Sequence, residues 1–314
     1  MKSFNPYKKG FLPVGDGHSL YYEFYGNPKG IPVLFVHGGP GGGFTNKHKR
    51  FFDKKKHNVI LFEQRGSGRS TPHCGLKANT TQKLVEDINK LLKFAGVKRV
   101  ILFGGSWGST LALCYAIKYP ETVSAMVLRG IFLATKKEIK NYYGGGTKTH
   151  YPEYWERFIA MVPANKRSNA ISYYLDQMLS KDKKTSQKYR FEWKLYESAL
   201  SKLHFTKKDY ERIESEWIDS IAILEAYYMK HNCFLADNYI LKNANKIAHI
   251  PTAIVQGRYD FVCPPENAYK LFKKLKNVKL HWAIAGHLSS EKAIANKLTA
   301  ELNKMADITS DTDI

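Results

Sequence analysis

The sequence predicts an α/β protein with a mostly parallel, doubly wound sheet and an inserted helical cap. Apolar runs of strand length alternate with helical patterns up to residue 130 and again after residue 245. Between these positions the strand pattern stops, and aromatic residues and lysines dominate. We therefore expect a core formed by residues 1–130 and 246–314, with a helical cap at residues 131–245.

Short sequence signals place the elements of the core. The turn signal Gly15-Asp16-Gly17 predicts an edge hairpin over residues 10–24. Continuous apolar runs are typical of strands buried on both faces. By this criterion, strands are predicted at residues 33–36, 58–62, 100–103, 124–128, 250–257 and 278–284. Helices are predicted at residues 81–95, 110–119, 265–275 and 290–305.

Two segments outside these elements also carry predictions. The cap shows helical spacing, for example at Ile213, Trp217, Ile221 and Leu224. The tail, residues 307–314, is short, polar and acidic, so we expect it to fray.

The charge balance is strongly basic, with 49 lysine and arginine residues against 28 aspartate and glutamate residues and a net charge of +21. Such a balance can indicate nucleic-acid binding. The lysines, however, are scattered in small groups such as Lys54-Lys55-Lys56 and Lys183-Lys184, without zinc-finger or RNP-type spacing. We interpret the charge as a solvated basic surface and expect no nucleic-acid partner.

The four cysteines, Cys74, Cys114, Cys233 and Cys263, are far apart and form no CxxC pair, so we expect neither a metal site nor a redox motif. Few cysteines in a long chain are typical of a reducing compartment. Residues 1–6 lack the apolar block of a signal peptide, and no apolar run approaches the ~18 residues that span a bilayer. These observations predict a cytoplasmic protein without a membrane partner.

The stretch Gly104-Gly105-Ser106-Trp107-Gly108 lies between an apolar strand and a helix rich in alanine and leucine. Glycines on both sides of Ser106 permit a sharp strand-to-helix turn that exposes the hydroxyl above the sheet. The helix N-terminus behind it favours the negative charge that acyl transfer generates. The same pattern occurs by chance in Gly-rich loops, but the strand before it and the helix after it favour a catalytic serine.

A serine nucleophile needs a base within hydrogen-bond reach and an acid that orients the base. Asp260 and His287 each follow a predicted strand, so we expect both at the sheet edge where Ser106 lies. The chain order Ser106, Asp260, His287 is that of the α/β-hydrolase fold. The chain has 11 histidines. His281, inside a strand, is a weaker candidate, and His37 is interpreted as structural.

Donors for an oxyanion hole are expected from two backbone positions. Trp107 supplies the first N–H at the predicted helix start, and Gly39 supplies the second from the loop at residues 37–43. Pro40 in that loop has no N–H to donate. The loop lacks the Lys-Ser/Thr ending of a P-loop, which argues against phosphate binding.

Several motifs together carry a family resemblance. They are His37-Gly38-Gly39-Pro40-Gly41-Gly42-Gly43, Gln64-Arg65-Gly66-Ser67-Gly68-Arg69-Ser70, Gly104-Gly105-Ser106-Trp107-Gly108-Ser109-Thr110-Leu111 and Gly257-Arg258-Tyr259-Asp260-Phe261-Val262-Cys263-Pro264. With these motifs, and over nearly its whole length, the chain resembles proline iminopeptidases (prolyl aminopeptidases). The resemblance implies release of N-terminal proline from peptides through a prolyl-enzyme intermediate, without a metal or a cofactor.

The resemblance also implies how a free amine is recognised. In similar enzymes, cap glutamates hold the substrate's ammonium group, and the matching positions here are Glu197 and Glu225. An N-blocked peptide would leave such carboxylates unpaired. The alternative is that both glutamates lie on solvated helix faces. The chain departs from the family pattern at three positions: Glu63 replaces an aspartate, and Gln82 and Tyr196 each replace a tryptophan. The change at Tyr196 bears on the shape of the proline pocket.

The sequence leaves two other functions open. A broader-specificity α/β-hydrolase, either an esterase or a general aminopeptidase, would share Ser106, Asp260 and His287 but would not need the two glutamates. A catalytically silent binding module would tolerate loss of these residues, yet all three are present.

Overall fold

The computed structural model describes residues 4–215 and 219–310, and this part of the chain contains one eight-stranded sheet. The strands are β1 (Lys8–Gly15), β2 (His18–Gly26), β3 (Ile31–Val36), β4 (His57–Phe62), β5 (Val100–Ser106), β6 (Val123–Ile131), β7 (Thr252–Gly257) and β8 (Val278–Ala283). The α-helices are α1 (Thr81–Phe94), α2 (Trp107–Lys118), α3 (Lys136–Tyr143), α4 (Pro152–Ala160), α5 (Ala170–Met178), α6 (Lys183–Leu200), α7 (Lys207–Ser215), α8 (Asp219–Lys230), α9 (Tyr239–Asn243), α10 (Pro265–Phe272) and α11 (Lys292–Ser310).

The sheet is mostly parallel, with the strand order β1-β2-β4-β3-β5-β6-β7-β8. The pairs β1–β2 and β2–β4 are antiparallel, and the remaining neighbours are parallel. Both faces are buried, because Val100 and Leu102 of β5 join one apolar cluster while Ile101 and Phe103 join another. The predicted α/β-hydrolase architecture with a doubly wound sheet is therefore confirmed.

Among the element boundaries that differ from the predicted ones, two bear on the site and on the tail. Helix α2 begins at Trp107 rather than at residue 110, because β5 continues to Ser106 and turns into the helix without a linker. The prediction that the tail frays from residue 307 is wrong for the described part, since α11 continues to Ser310. Thr309 is buried in this stretch, and Met305 and Ala306 are buried just before it, so the last turns of the helix are held by packing. Residues 311–314 lie outside the described residues.

Between β6 and β7 the described residues form helices α3 to α9 and short 3₁₀ turns, without a strand. The boundaries of the cap at residues 131 and 245 remain a prediction. In the spacing noted above, Ile213 belongs to α7, while Ile221 and Leu224 belong to α8; Trp217 lies outside the described residues. Within the described chain, no helix combines the length and the apolar character needed to cross a bilayer.

Candidate active site

Ser106 stands at a strained turn between β5 and α2. Its backbone has φ of 58° and ψ of −132°, a conformation that residues with a side chain seldom adopt. The turn requires glycine on both sides of the serine. A Cβ at Gly104 would lie 2.5 Å from the carbonyl oxygen of Gly108, and a Cβ at Gly108 would lie 2.1 Å from that of Val36. The packed glycines thus hold the serine hydroxyl at the carboxyl edge of the sheet.

His287 lies between Ser106 and Asp260. Its Nε2 is 3.0 Å from the Ser106 Oγ, and its Nδ1 is 2.8 Å from the Asp260 Oδ2. Both His287 and Asp260 are buried. Because a carboxylate can only accept, Nδ1 carries the proton and Nε2 presents its lone pair to the hydroxyl. The structure therefore brings together the three side chains predicted from their positions after strands, in the geometry of a Ser-His-Asp triad.

The carboxylate of Asp260 is fixed by four hydrogen bonds. Its Oδ1 accepts from the backbone N–H groups of Val262, at 3.0 Å, and Cys263, at 2.8 Å. Its Oδ2 accepts from His287 and, at 3.1 Å, from the side-chain amide of Gln256. Each carboxylate oxygen therefore accepts two hydrogen bonds, and together these four bonds fix the orientation of the carboxylate towards the imidazole.

Two further contacts hold the backbone of His287. The Arg129 guanidinium donates to the carbonyl of His287 at 2.8 Å, and the N–H of His287 donates to the carbonyl of Ser201 at 3.1 Å. The same guanidinium nitrogen is 3.1 Å from the His287 Nε2. Burial lowers the pKa of Arg129, and the charge of Asp260 opposes this effect. Since Ser201 caps α6, the loop that carries His287 is tied directly to a cap helix.

His37 organises the glycine loop. Its Nε2 accepts the backbone N–H of Gln64 at 3.0 Å, so Nδ1 carries the proton that is donated to the Gly38 carbonyl at 2.8 Å. The Gln64 side chain donates to the His37 carbonyl and accepts from the Trp107 indole, both at 2.8 Å. Burial lowers the pKa of His37, which favours this neutral form. These contacts agree with a structural interpretation of His37.

The glycine loop lies against the serine turn. A Cβ at Gly38 would be 3.4 Å from the Cβ of Ser106, and Gly39 lines the same cavity as Ser106. Gly39 has φ of +109°, in the left-handed region that favours glycine. Trp107 is the first residue of α2, and the first N–H groups of a helix have no acceptor within it. Both N–H groups therefore belong to backbone positions suited to oxyanion donors, as proposed from the sequence.

Ser220, in the first turn of α8, connects the cap to the glycine loop. Its hydroxyl donates to the carbonyl of Gly41 at 2.9 Å and lies 3.5 Å from the N–H of Gly68. The approach is close, because a Cβ at Gly41 would be 2.3 Å from the Ser220 carbonyl oxygen. Helix α8 therefore rests on the loop that contains Gly39.

Replacing Ser220 by alanine should lower kcat about five-fold while KM changes little. The expected loss corresponds to about 1 kcal/mol, the contribution of the one hydrogen bond from Ser220 to the glycine loop. That bond positions the loop's N–H donor, which is used in the transition state. Steady-state kinetics on a proline amide substrate would measure it. Ser220→Thr should retain the rate, and Ser168→Ala, at an exposed cap position, is the matched control. A rise in KM with unchanged kcat would contradict this positioning role.

One cavity extends from the serine turn into the cap. Ser106 and Gly39 line it from the core, and Glu197 and Glu225 line it from the cap. The remaining wall is mostly apolar and includes Phe132, Ile139, Tyr142, Tyr143, Met229 and Val262. The cavity therefore places the Ser106 hydroxyl and three carboxyl groups, those of Glu138, Glu197 and Glu225, around one mostly apolar space.

The two glutamates form a buried pair. Glu225 is 3% exposed, and its Oε2 accepts from the Trp193 indole at 3.0 Å. Glu197 lines the same cavity. Burial raises the pKa of Glu225 well above its usual range, and the neighbouring Glu197 raises it further. The Glu197 side chain is 16% exposed, so neither glutamate lies on a solvated helix face.

Tyr196, which precedes Glu197 in α6, lies behind the cavity wall. Its hydroxyl donates to the Tyr142 carbonyl at 2.8 Å and is 2.5 Å from the Thr147 Oγ1. Its ring lies 5.5 Å from that of Tyr142. Tyr196 therefore does not line the cavity itself, but it contacts Tyr142, which does.

Sequence reasoning gave no role to four residues that hold the site together. Gln256 interrupts the apolar run of β7, and Arg129 follows the apolar run of β6 two residues before that strand ends; a polar residue in such a run is a signal that the sequence offers. Lys194, whose ammonium is 2.5 Å from Glu197, precedes it by three residues in one helix, a spacing that places side chains on the same face. Ser220 carries no such signal, because its contacts are made to distant loops.

The chain shares its fold with known hydrolases. Residues 31–292 match the family model of the alpha/beta hydrolase fold. An esterase from Exiguobacterium antarcticum has a TM-score of 0.67 at 18% identity, covering 95% of this chain and 98% of that chain. A proline iminopeptidase from Mycobacterium smegmatis has a TM-score of 0.63 at 16% identity, covering 98% and 100%. At such low identity, these structures show the fold alone.

Relatives with higher sequence identity define the family more closely. The proline iminopeptidase of Arabidopsis thaliana is 41% identical over 304 residues, which are 96% of this chain and 80% of the relative. That of Xylella fastidiosa strain 9a5c is 44% identical over 273 residues, which are 85% and 86%. Identity at this level extends over both the core and the cap. The chain is therefore an enzyme that belongs to the proline iminopeptidase family of α/β-hydrolases.

Proposed function

We propose that this enzyme releases N-terminal proline from peptides by acyl transfer through Ser106. The observation that supports this most directly is the single cavity lined by Ser106 and Gly39 at one end and by Glu197 and Glu225 at the other. A nucleophile that shares a cavity with these two carboxylates suits a substrate whose reactive carbonyl lies close to a cationic amine.

The proposed first step is attack of the Ser106 hydroxyl on the carbonyl carbon of the N-terminal residue. His287 takes the hydroxyl proton at Nε2, and Asp260 stabilises the imidazolium through Nδ1. The N–H groups of Gly39 and Trp107 receive the oxyanion. Collapse of the tetrahedral intermediate expels the peptide amine, which takes its proton from His287.

The second step is hydrolysis of the prolyl-enzyme. Water enters after the shortened peptide leaves, and His287 removes a proton from it as the water attacks the ester carbon. The ester bond to Ser106 then breaks, and the serine oxygen recovers its proton from the imidazole. Proline leaves, and the free enzyme is restored.

Recognition of the free amine is assigned to the Glu197 and Glu225 carboxylates. The pair lies in a largely dry environment, where an unpaired charge is costly and a cationic partner is strongly favoured. An N-acetylated substrate would present a neutral group to this pair. The apolar wall that includes Phe132, Tyr142 and Tyr143 offers a surface for the pyrrolidine ring.

The test compares fluorogenic amides of proline, alanine and N-acetylproline on the wild type and on Glu225→Gln. The wild type should prefer proline and should not accept N-acetylproline. Glu225→Gln should lower kcat/KM for the free amine roughly 10- to 150-fold, the equivalent of one hydrogen bond to a charged group. Its rate on N-acetylproline amide should not fall.

Glu153→Gln is the matched control, because it makes the same chemical change at an exposed position on α4 of the cap. Equal rates on the free and the acetylated proline amides of the wild type would argue against amine recognition. They would favour a broader esterase or amidase instead.

A further inference from the structure

Glu291 follows His287 by four residues and directly precedes α11. Its Oε2 accepts the backbone N–H of Gly286 at 3.0 Å, and its Oε1 accepts that of Leu288 at 3.2 Å. Gly286 and Leu288 are the neighbours of His287 in the chain, one on each side. A single carboxylate therefore holds the backbone at two points, immediately before and immediately after the residue that carries the imidazole.

Two other groups hold the backbone of His287 itself. Its N–H donates to the Ser201 carbonyl at 3.1 Å, and its carbonyl accepts from Arg129 at 2.8 Å. Gly286 and His287 are buried, where an N–H group without an acceptor would be costly. Glu291 supplies the acceptors for two of these three consecutive N–H groups, and hydrogen bonds to an ionised acceptor are stronger than those between neutral groups. The carboxylate is therefore the main acceptor of this segment.

The backbone of Glu291 gives the carboxylate a fixed base. Its N–H donates to the Leu288 carbonyl at 3.1 Å, so the two residues exchange two hydrogen bonds across one turn. The carbonyl of Glu291 accepts the N–H of Ala295 at 2.8 Å, which joins it to the first turn of α11. That helix packs on the sheet through the buried Leu298 and Leu302. Because Glu291 is tied to a packed helix, its carboxylate fixes the segment that carries His287 relative to the sheet.

Close packing keeps Gly286 against this carboxylate. A Cβ at residue 286 would be 3.2 Å from the Glu291 Oε1 and 3.3 Å from the Ser201 carbonyl oxygen. A Cβ at Gly257, the last residue of β7, would be 1.9 Å from the Gly286 carbonyl oxygen. The segment is therefore enclosed by β7, by the cap and by Glu291, and loss of one of these contacts opens a direction in which it can shift.

We propose that Glu291 is a positioning residue for the catalytic base, which holds the backbone on both sides of His287 so that the imidazole reaches Ser106 and Asp260 together. The inference rests on the proposed function, in which His287 is the base. The two contacts of the imidazole, at 3.0 Å and 2.8 Å, are both of hydrogen-bond length only within a narrow range of backbone positions. A displacement of about 1 Å can lower a rate about 100-fold. The cavity that Ser106 lines is not lined by Glu291, so Glu291 acts through His287 and not on the substrate.

Glu291→Gln should lower kcat on proline amide substrates roughly 10- to 100-fold. The glutamine oxygen can accept one of the two N–H groups, but its NH₂ group faces the other N–H as a second donor. His287 acts both in acylation and in hydrolysis of the prolyl-enzyme, so the two steps should slow together. KM should therefore stay within about twofold of the wild type. Steady-state kinetics on a fluorogenic proline amide would measure both constants.

Two further variants separate the two-point contact from the charge that makes it. Glu291→Asp keeps the charge but is one methylene group shorter, so its carboxylate does not span both N–H groups and the loss of kcat should be similar. Glu121→Gln makes the same chemical change as Glu291→Gln at an exposed core position between α2 and β6, and it should match the wild type. Wild-type kcat in Glu291→Gln would overturn the proposal. Full activity of Glu291→Asp would also overturn it, because the negative charge alone would then be sufficient.

Proton NMR of the hydrogen bond between His287 and Asp260 tests the geometry directly. The Nδ1 proton of an imidazole that donates to a buried carboxylate resonates far downfield of the amide protons, and its loss in Asp260→Ala assigns it. In Glu291→Gln and Glu291→Asp this resonance should shift or broaden, because the imidazole moves relative to the carboxylate. In Glu121→Gln it should not change. Lower activity with an unchanged resonance, or a higher KM at unchanged kcat, would contradict a positioning role.

The failure of this inference can be told apart from the failure of the proposed function. If Ser106→Ala and His287→Ala keep the wild-type rate on proline amides, the proposed acyl transfer fails and the role of Glu291 fails with it. If those two variants lose their activity while Glu291→Gln keeps the wild-type kcat, only the role of Glu291 fails.

Discussion

Ser106→Ala should lower kcat on proline amide substrates by a factor on the order of 10⁴ to 10⁶, while KM and the unfolding temperature stay close to wild type. The factor is typical of nucleophile removal in serine peptidases, where the oxyanion donors and substrate binding leave a residual rate. The fold should not depend on this hydroxyl, because the strained turn is held by the contacts of Gly104 and Gly108.

Thermal unfolding and a sensitive end-point assay with purified variants would measure both effects. Ser168→Ala, an exposed serine of the cap, should match the wild type in both. Persistence of more than about a tenth of the wild-type rate in Ser106→Ala would mean that the nucleophile lies elsewhere.

Asp260→Asn should lower kcat by about 10⁴, the size of effect known for the equivalent change in a serine protease. The hydrogen-bond geometry gives the reason. Oδ1 accepts two backbone N–H groups, so the asparagine must keep its oxygen there and turn its NH₂ group towards His287. The imidazole must then accept at Nδ1 and carry its proton at Nε2, which cannot take the proton of Ser106. The NH₂ group also faces the amide donor of Gln256.

The rate of Asp260→Asn should recover in part at high pH, where an alkoxide or hydroxide replaces the missing base, and this recovery separates a tautomer defect from unfolding. Asp176→Asn, at an exposed position on α5, is the matched control. A variant that keeps wild-type kcat at neutral pH would show that Asp260 does not orient the imidazole.

The sheet and the site-bearing edge could be predicted because both follow from local pattern. Strands β3 to β7 contain continuous apolar runs, which are typical of strands buried on both faces. Ser106, Asp260 and His287 stand at the end of a strand or shortly after one. The chain order of Ser106, Asp260 and His287 then limits the topology. The positions of Glu197 and Glu225 came from a family resemblance, since a glutamate within a helix has the same local pattern whether it is buried or exposed.

The supporting contacts could not be read from the sequence with the same ease. Helical spacing does not distinguish one aromatic residue of the cap from another. The sequence alone therefore does not say that Tyr142 faces the cavity while Tyr196 packs behind it. Ser220 contacts loops more than a hundred residues away along the chain. Such contacts depend on how the cap is docked, and no local propensity encodes that arrangement.

The seating of α8 on Gly41 has a mechanical consequence. The same helix carries Glu225, so an outward swing of α8 would move that carboxyl group away from Ser106 and would also break the contact with the loop that contains Gly39. An open conformation would thus lose its hydrolytic geometry in one motion. Such an interlock would restrict bond cleavage to the conformation in which α8 is docked on the glycine loop.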